Sequence, residues 1–360
     1  MSDVYKRLAK KLDEMPHGFP ETESGVEIKI LEKIFTQEDA ENALKLRPYP
    51  ETVEMIAERF GKEPSEMHEI LLSMATKGQI GSTKMSGIRM FLFVPFVVGI
   101  YEFQLYRIDK ELTDLFEEYF PTLMKAIGGH GPAMARVVPI NTEIKGTGEI
   151  VPYDDIKKMI EDSNSFILNE CICRKEQALA GEPCNHTLSA CLGFSKQENA
   201  YDDFSLGGEV ITKEKALKVL TDSEEEGLVH NLFYNTLKGH IGVCNCCSCC
   251  CGVLRGVNEL GIEHILARSN YVACIDADTC TACGICADER CPVGAIEESG
   301  DVYKVFPDRC VGCGVCIVTC PVESIELLER PKVEQKTPPK NIIDWSIQRA
   351  NSRGIELKLK

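Results

Sequence analysis

Nineteen cysteines, every one of them between residues 171 and 320, constrain this 360-residue chain more than any other feature. Four fall in 171–191, six in 244–251 and nine in 274–320, while the first 170 residues hold none. An odd total and repeated CxxC spacings argue against a disulfide framework and for metal ligation in a reducing compartment. Met1–Lys11 is polar and amphipathic, with neither the apolar core nor the small-residue cleavage site of an export signal. The longest apolar run, Met90–Ile100, is eleven residues with Pro95 inside it, against about 20 needed to span a bilayer. The expectation is therefore a cytoplasmic protein without a membrane span. A formal charge of −16 repels nucleic acid and anionic lipid, so neither is an expected partner. The length suits two or three domains.

Two cysteine runs follow one another near the C-terminus: Cys280-x-x-Cys283-x-x-Cys286-x4-Cys291-Pro292 and Cys310-x-x-Cys313-x-x-Cys316-x3-Cys320-Pro321. They form an internal repeat, the first three cysteines recurring at +30 and the fourth at +29, with Ala295-Ile296-Glu297 matching Ser324-Ile325-Glu326. Two residues between cysteines let the chain wrap the corner of a cube, so that three thiolates reach three irons while backbone N–H groups point at sulfur. Gly284, Gly312 and Gly314 permit the positive-φ turns this wrapping demands. The second run is similar to the bacterial two-cluster ferredoxin signature, and the first departs from it by one residue before Cys291. That resemblance implies one [4Fe–4S] cluster held by Cys280, Cys283, Cys286 and Cys320, and another held by Cys310, Cys313, Cys316 and Cys291. Structural zinc is the competing reading of CxxC pairs, but tandem CxxCxxC…CP runs are much more specific than a zinc ribbon. Residues 271–330 carry eleven acids against four bases, which favours docking on a basic partner surface.

A second cysteine field precedes this unit: Cys171, Cys173, Cys184, Cys191, Cys244, Cys246, Cys247, Cys249, Cys250 and Cys251. Six thiols within the eight residues 244–251 bring no packing advantage, and free they are readily oxidised. With Cys171, Cys173, Cys184 and Cys191 as the opposite wall, the preferred reading is a third iron–sulfur cluster drawn from both walls. Zinc or a redox-active dithiol set is the alternative, and spacing alone does not choose the ligands. His186 either ligates or makes a hydrogen bond, and Arg174 neutralises cluster charge or binds an anionic substrate. Cys274, on the strand entering the ferredoxin unit, reads as an ordinary buried residue.

Upstream, Thr36 is placed to cap a helix through Leu46. Val53, Ile56, Ala57 and Phe60, then Met67, Ile70, Leu71 and Met74, mark two short helices, with Gly61 closing the first and Pro64 opening the second. Strands over Gln79–Thr83 and Ile88–Val94 complete a layout that resembles a winged helix-turn-helix. Phosphate contacts need Lys or Arg on the reading face. The presumed recognition helix instead holds Glu66 and Glu69 against Lys77, and the one before it Glu51, Glu54 and Glu58 against Arg59. Only Lys84 and Arg89 in the wing are placed to serve, so a protein-docking role is preferred over DNA reading. Phe93–Tyr101 reads as a buried seam.

From Leu105 the pattern is mixed α/β: a helix over Asp109–Ile127 interrupted at Pro121, strands at Arg136–Ile140, Ser165–Asn169 and Leu228–Tyr234, and helices from Tyr153 and from Thr212. The glycine loops at 128–132 and 146–148 match no nucleotide-binding pattern. Residues 331–360 hold seven Lys or Arg against three acids. They read as a flexible basic extension, or as a segment packing Trp345 on the body or touching an acidic partner. The expected architecture is α+β multidomain: an N-terminal helical segment plus a winged-helix-like domain over 1–104, cysteine-rich α/β 105–268, ferredoxin-like 269–330 and a tail, 331–360.

The whole layout resembles a set of iron–sulfur proteins of anaerobic bacteria and archaea. The landmarks are Gly18-Phe19-Pro20, residues 95–103, Cys171-Ile172-Cys173-Arg174-Lys175-Glu176 and 246–255. The leading expectation is an electron-transfer protein of anaerobic metabolism, passing single electrons through two ferredoxin-type [4Fe–4S] clusters to or from a further cluster or a partner oxidoreductase. The alternatives are a redox-sensing transcription regulator and a reductase acting at the central cysteine field.

Overall fold

The computed structural model describes residues 3–85, 87–139, 155–202 and 206–357. Ile140, the loop 146–148 and the start of the helix expected from Tyr153 lie outside the described residues. Helices α1 (Asp3–Asp13), α2 (Val26–Ile34) and α3 (Gln37–Lys45) open the chain. The Thr36 hydroxyl accepts from Asp39 N–H and caps α3, satisfying one of the orphan donors of a helix start. Strand β1 (Glu51–Thr52), helices α4 (Val53–Phe60) and α5 (Pro64–Thr76), and strands β2 (Gly81–Met85) and β3 (Ile88–Leu92) follow. The strands form an antiparallel sheet in the order β1-β3-β2. Ile56, Ala57, Met67, Leu71 and Met74 turn inward, while Val53, Phe60 and Ile70 pack at the margin. The bases of these helices are used internally: Arg59 forks onto buried Glu51 at 2.7 and 2.5 Å, and Lys77 pairs with Asp39 at 3.1 Å.

Phe93, Phe96, Ile100 and Tyr101 are buried, as expected of a seam, and Tyr101 stacks on Phe116 with ring centroids 3.9 Å apart. Phe116 belongs to α6 (Lys110–Gly128), which runs unbroken through Pro121. The interruption expected there is absent because Leu112, Phe116, Tyr119, Phe120, Leu123, Met124 and Ile127 form one buried stripe. At about 1.5–3 kcal/mol per buried side chain the stripe outweighs the roughly 3 kcal/mol a helical proline costs.

The central region is a seven-stranded sheet in the order β10-β4-β8-β9-β6-β5-β7. In chain order its elements are β4 (Ala135–Val137), α7 (Ile156–Glu161), β5 (Ser165–Glu170), α8 (Ile172–Ala180), β6 (Ser189–Ser195), β7 (Glu209–Ile211), α9 (Lys213–Glu226), β8 (Val229–Leu232), β9 (Gly242–Cys246), α10 (Gly252–Asn258) and β10 (Leu266–Ala267). Among the described residues only β10 and β4 pair in parallel. Thr212 caps α9 through Lys215 N–H. Ile156 and Ile160 of α7 and Ala216 and Leu220 of α9 share a core with Phe166, Leu192 and Val243 of the sheet.

In the ferredoxin-like region β11 (Tyr271–Ile275) pairs antiparallel with β14 (Ile325–Glu329), and β12 (Ile296–Ser299) with β13 (Val302–Val305). The tail is not an extension in solvent. It forms α11 (Ile342–Arg353), capped by Asn341, and buries Trp345 and Arg349 completely. Trp345 Nε1 donates to Ala133 O at 2.9 Å, and the Arg349 guanidinium donates to the carbonyls of Pro16, Ile127, His130 and Pro132. One guanidinium thus satisfies backbone acceptors from both sides of α6, and its burial is tolerated because its donors are engaged.

Candidate metal centre

The ferredoxin-like loops wrap two small cavities. One is lined by Cys280, Cys283, Cys286 and Cys320 with Ile275, Tyr303 and Ile325. The other is lined by Cys291, Cys310, Cys313 and Cys316 with Ala273, Val311 and Val315. The fourth cysteine of each run therefore lines the cavity of the other run, because its proline turns the chain across. Gly284, Gly312 and Gly314 have φ of 82, 71 and 79°. At Gly312 a Cβ would stand 2.2 Å from Tyr271 O, so glycine is required there twice over. Backbone N–H groups already aim at sulfur, Ala295 N at Cys291 Sγ (3.0 Å) and Ser324 N at Cys320 Sγ (3.3 Å). Burial raises the thiols of Cys286 to about 11 and Cys313 to about 12. Against burial, the Ser324 hydroxyl and backbone amides hold Cys320 below its ordinary value. Four convergent thiols, an apolar lining and amide donors fit a [4Fe–4S] cube in each cavity.

The two cavities differ in setting. Cys283 is exposed, and Val318 and Val322, beside Cys320, are exposed hydrophobics. Val311, Cys313 and Val315, by contrast, pack into the main hydrophobic core with Cys246, Cys251 and Leu254. Asn258 at the end of α10 donates to Pro292 O at 2.9 Å, and Arg330 donates to Cys310 O and Tyr271 O. The Cys291–Cys310–Cys313–Cys316 cavity thus faces the body of the protein. Cys274 stands on β11 opposite Glu326, half-buried rather than in the core.

The ten cysteines of the other field converge as well, but divide in two. Cys171 directly follows the end of β5 and is the residue before α8, and Cys173 lies in the first turn of that helix, so the strand delivers this pair to a helix start. Cys191 on β6 is the register partner of Cys244 on β9, and Cys246 follows on the same face of β9. Cys171 lies beside Cys173 and Cys246 beside Cys251, and Cys173 and Cys251 interact across the gap. The second group is Cys184, from the loop after α8, with Cys247, Cys249 and Cys250 from the turn between β9 and α10. His186 is no part of it: its Nδ1 bonds Glu226 Oε1 at 2.9 Å.

Arg174 stands between the groups. Its guanidinium is buried, donates to Thr187 O (2.6 Å) and Asn245 O (2.9 Å), and lies against Cys171, Cys246 and Cys247. The hydrogen bond from Cys250 and the charge of Arg174 hold Cys247 down to about 4 against its burial. Sequence reading missed the acidic neighbours of this field. Arg255 forks onto Glu117 at 2.8 and 2.9 Å, keeping that carboxylate ionised, while burial beside it raises Glu176 to about 8. Glu176 and Arg255 sit in the cysteine landmarks, but Glu117 lies mid-helix in α6 with nothing in its spacing to mark it.

Residues 303–326 match the family described as 4Fe-4S binding domain, which implies a [4Fe–4S] cluster in this part of the chain. Electron transport protein HydN of Escherichia coli (strain K12) is 30% identical over 107 residues, 28% of this chain and 61% of that protein. A probable iron–sulfur protein of the Frd operon of Proteus vulgaris is 29% identical over 85 residues, 22% of this chain and 54% of that protein. A component of the ion-translocating oxidoreductase complex of Methanosarcina acetivorans is 33% identical over 68 residues, 18% and 25% of the two chains. The chain is similar, at low identity, to iron–sulfur electron-transfer proteins, and spans less than two thirds of the length of these curated relatives. No solved structure matches. No helix among the described residues is long and apolar enough to cross a membrane.

Proposed function

We propose that this chain passes single electrons between a redox partner and a centre in its own cysteine field, by way of two ferredoxin-type sites. The observation that carries the reading is the pair of four-cysteine cavities, one with an exposed rim and the other built into the body's core. Cys280, Cys283, Cys286 and Cys320 hold the outer [4Fe–4S] group, and Cys291, Cys310, Cys313 and Cys316 the inner one. Within the cysteine field, Cys171, Cys173, Cys246 and Cys251 are the four best placed for a further cluster, because they converge from both walls and stand outside the tight group of Cys184, Cys247, Cys249 and Cys250. Bound at these positions, iron–sulfur clusters supply reversible one-electron chemistry.

The protein's own residues do the rest. The acidic surface of 271–330 steers a basic partner to the outer site, where Val318 and Val322 offer apolar contact beside Cys320. Asn258 and the core around Val311 and Val315 fix the inner site against α10, which begins one residue past Cys251. Arg174 offsets thiolate charge in the field, and neutral Glu176 spares it a further negative charge.

The N-terminal helices and sheet, a winged-helix arrangement in this reading, form a docking arm for a protein partner. Arg59 and Lys77 are committed to Glu51 and Asp39, so duplex DNA affinity at moderate salt is expected to be absent in both redox states. Binding that appears in one state favours the regulator instead. The electron-transfer reading itself is tested by a potentiometric titration of the full chain, prepared without oxygen and followed by electron paramagnetic resonance. Successive one-electron steps support it, and uptake of electrons only in pairs, as dithiols take them, overturns it.

A further inference from the structure

Beyond the electron path, the cysteine field contains four thiols whose arrangement differs from every other cysteine group among the described residues. The Sγ atoms of Cys184, Cys247, Cys249 and Cys250 all lie within 4.8 Å of one another. Among the described residues this is the one group of three or more such ligand atoms found so close together. The ferredoxin quartets provide the internal reference: each is spread round the rim of a cavity and does not meet this spacing. A cube of iron and sulfide needs that room between its thiolates. A single metal ion does not. At a Zn–S length of about 2.3 Å, the edge of a tetrahedron of sulfurs is about 3.8 Å, and Cys249 Sγ and Cys250 Sγ stand 3.7 Å apart.

We propose that Cys184, Cys247, Cys249 and Cys250 form a closed tetrathiolate site for one Zn²⁺ ion, separate from the iron–sulfur centres. The local fold suits it. Cys251 N–H donates to Cys247 O at 3.2 Å, closing the turn that carries three of the ligands. The left-handed Gly181 ends α8 and turns the chain toward Cys184. Cys247 and Cys250 rest on a dry floor of Ala190 and Leu228, whereas Cys249 is exposed and leaves a path for the ion to enter. Four thiolates around a divalent ion carry a net charge of −2, and the buried Arg174 guanidinium beside Cys247 offsets part of it. With four protein ligands no position is open for substrate, so the ion is structural. It clips the loop after α8 to the β9–α10 turn, and so fixes Cys246 and Cys251 on either side of that turn.

The test is metal and sulfide analysis of the full chain, purified without oxygen, as wild type and as Cys249→Ser. The expected result is about one zinc per wild-type chain, lost in the variant while iron and acid-labile sulfide stay unchanged. Zinc absent from the wild type, zinc retained by the variant, or iron and sulfide falling together overturns the proposal. Should the variant fail to fold, wild-type protein loaded with Co²⁺ decides. The intense visible bands of tetrahedral cobalt thiolate are expected, and their absence overturns the site. Because the readout is zinc, a failure of the electron-transfer reading shows separately, as missing iron and sulfide.

Discussion

The ferredoxin-like unit and the cysteine field are both dense in thiols, yet they are built on opposite plans. In the first, the cysteines lie on loops wrapped round cavities, and the surrounding protein is slight: two two-stranded ladders and nine buried apolar residues, three of them cysteines. In the second, the thiols sit on elements of a seven-stranded sheet with its own core and are brought together by strand register, a helix start and a turn. On the proposed reading, metal is part of the fold in the first region, whereas in the second it joins loops of a sheet that has its own core. A spacing motif describes the first kind of site because the geometry is local. It does not describe the second, whose geometry is tertiary.

The largest expected effect bears on that contrast itself. Stripping iron with a chelator under anaerobic conditions is expected to abolish hydrogen-exchange protection over 271–330, since two-stranded ladders are marginal alone and metal binding there is folding free energy. Protection in β5, β6, β8 and β9 is expected to persist. Uniform loss across both regions defeats the comparison.

The next effect concerns what stabilises the body in place of metal. His17 is buried, bonded through Nε2 to Tyr234 Oη at 3.0 Å and packed 5.1 Å from Trp345. Burial, with Arg349 and Arg353 nearby, lowers its pKa to about 3. Its neutral form contributes stability that is fully present above pH 6.5 and is lost as pH falls through the folded value. Over that window the loss reaches about 5 kcal/mol. Urea unfolding between pH 6.5 and 4, followed by the lone tryptophan, is expected to show a shallower acid loss in His17→Gln than in wild type.

A smaller effect sets one glycine of each region against the other. Gly312→Ala puts a Cβ into Tyr271 O at a positive φ and is expected to cost about 3 kcal/mol or more together with the iron of the inner site. Gly181→Ala meets nothing within 4 Å, so only its left-handed φ counts, about 1 kcal/mol, with metal content unchanged. Denaturant midpoints and iron content of the two variants check both values.

Legibility in the sequence follows the same division. The eight ferredoxin cysteines stand out by their spacing, and their crossing is what the ferredoxin resemblance implies; the caps at Thr36 and Thr212 and the stripes of α4 and α5 can also be placed from the sequence. The break expected at Pro121 does not occur, because a local penalty taken alone leaves out the tertiary stripe that exceeds it. The partition of the central thiols cannot be read: adjacent residues Cys246 and Cys247 belong to different groups, and only the turn after β9 separates them. Trp345 and Arg349 are equally opaque, since their partners, Pro16, Ile127, His130, Pro132 and Ala133, lie more than 200 residues away.

That the chain carries electrons on iron–sulfur clusters is decided by counting iron and acid-labile sulfide in the full chain and recording its paramagnetic spectrum after dithionite. About eight of each are expected from the ferredoxin-like sites and about twelve with the cluster of the field, with signals that appear on reduction. Oxygen-free protein that is colourless, holds no sulfide and stays silent when reduced would contradict this.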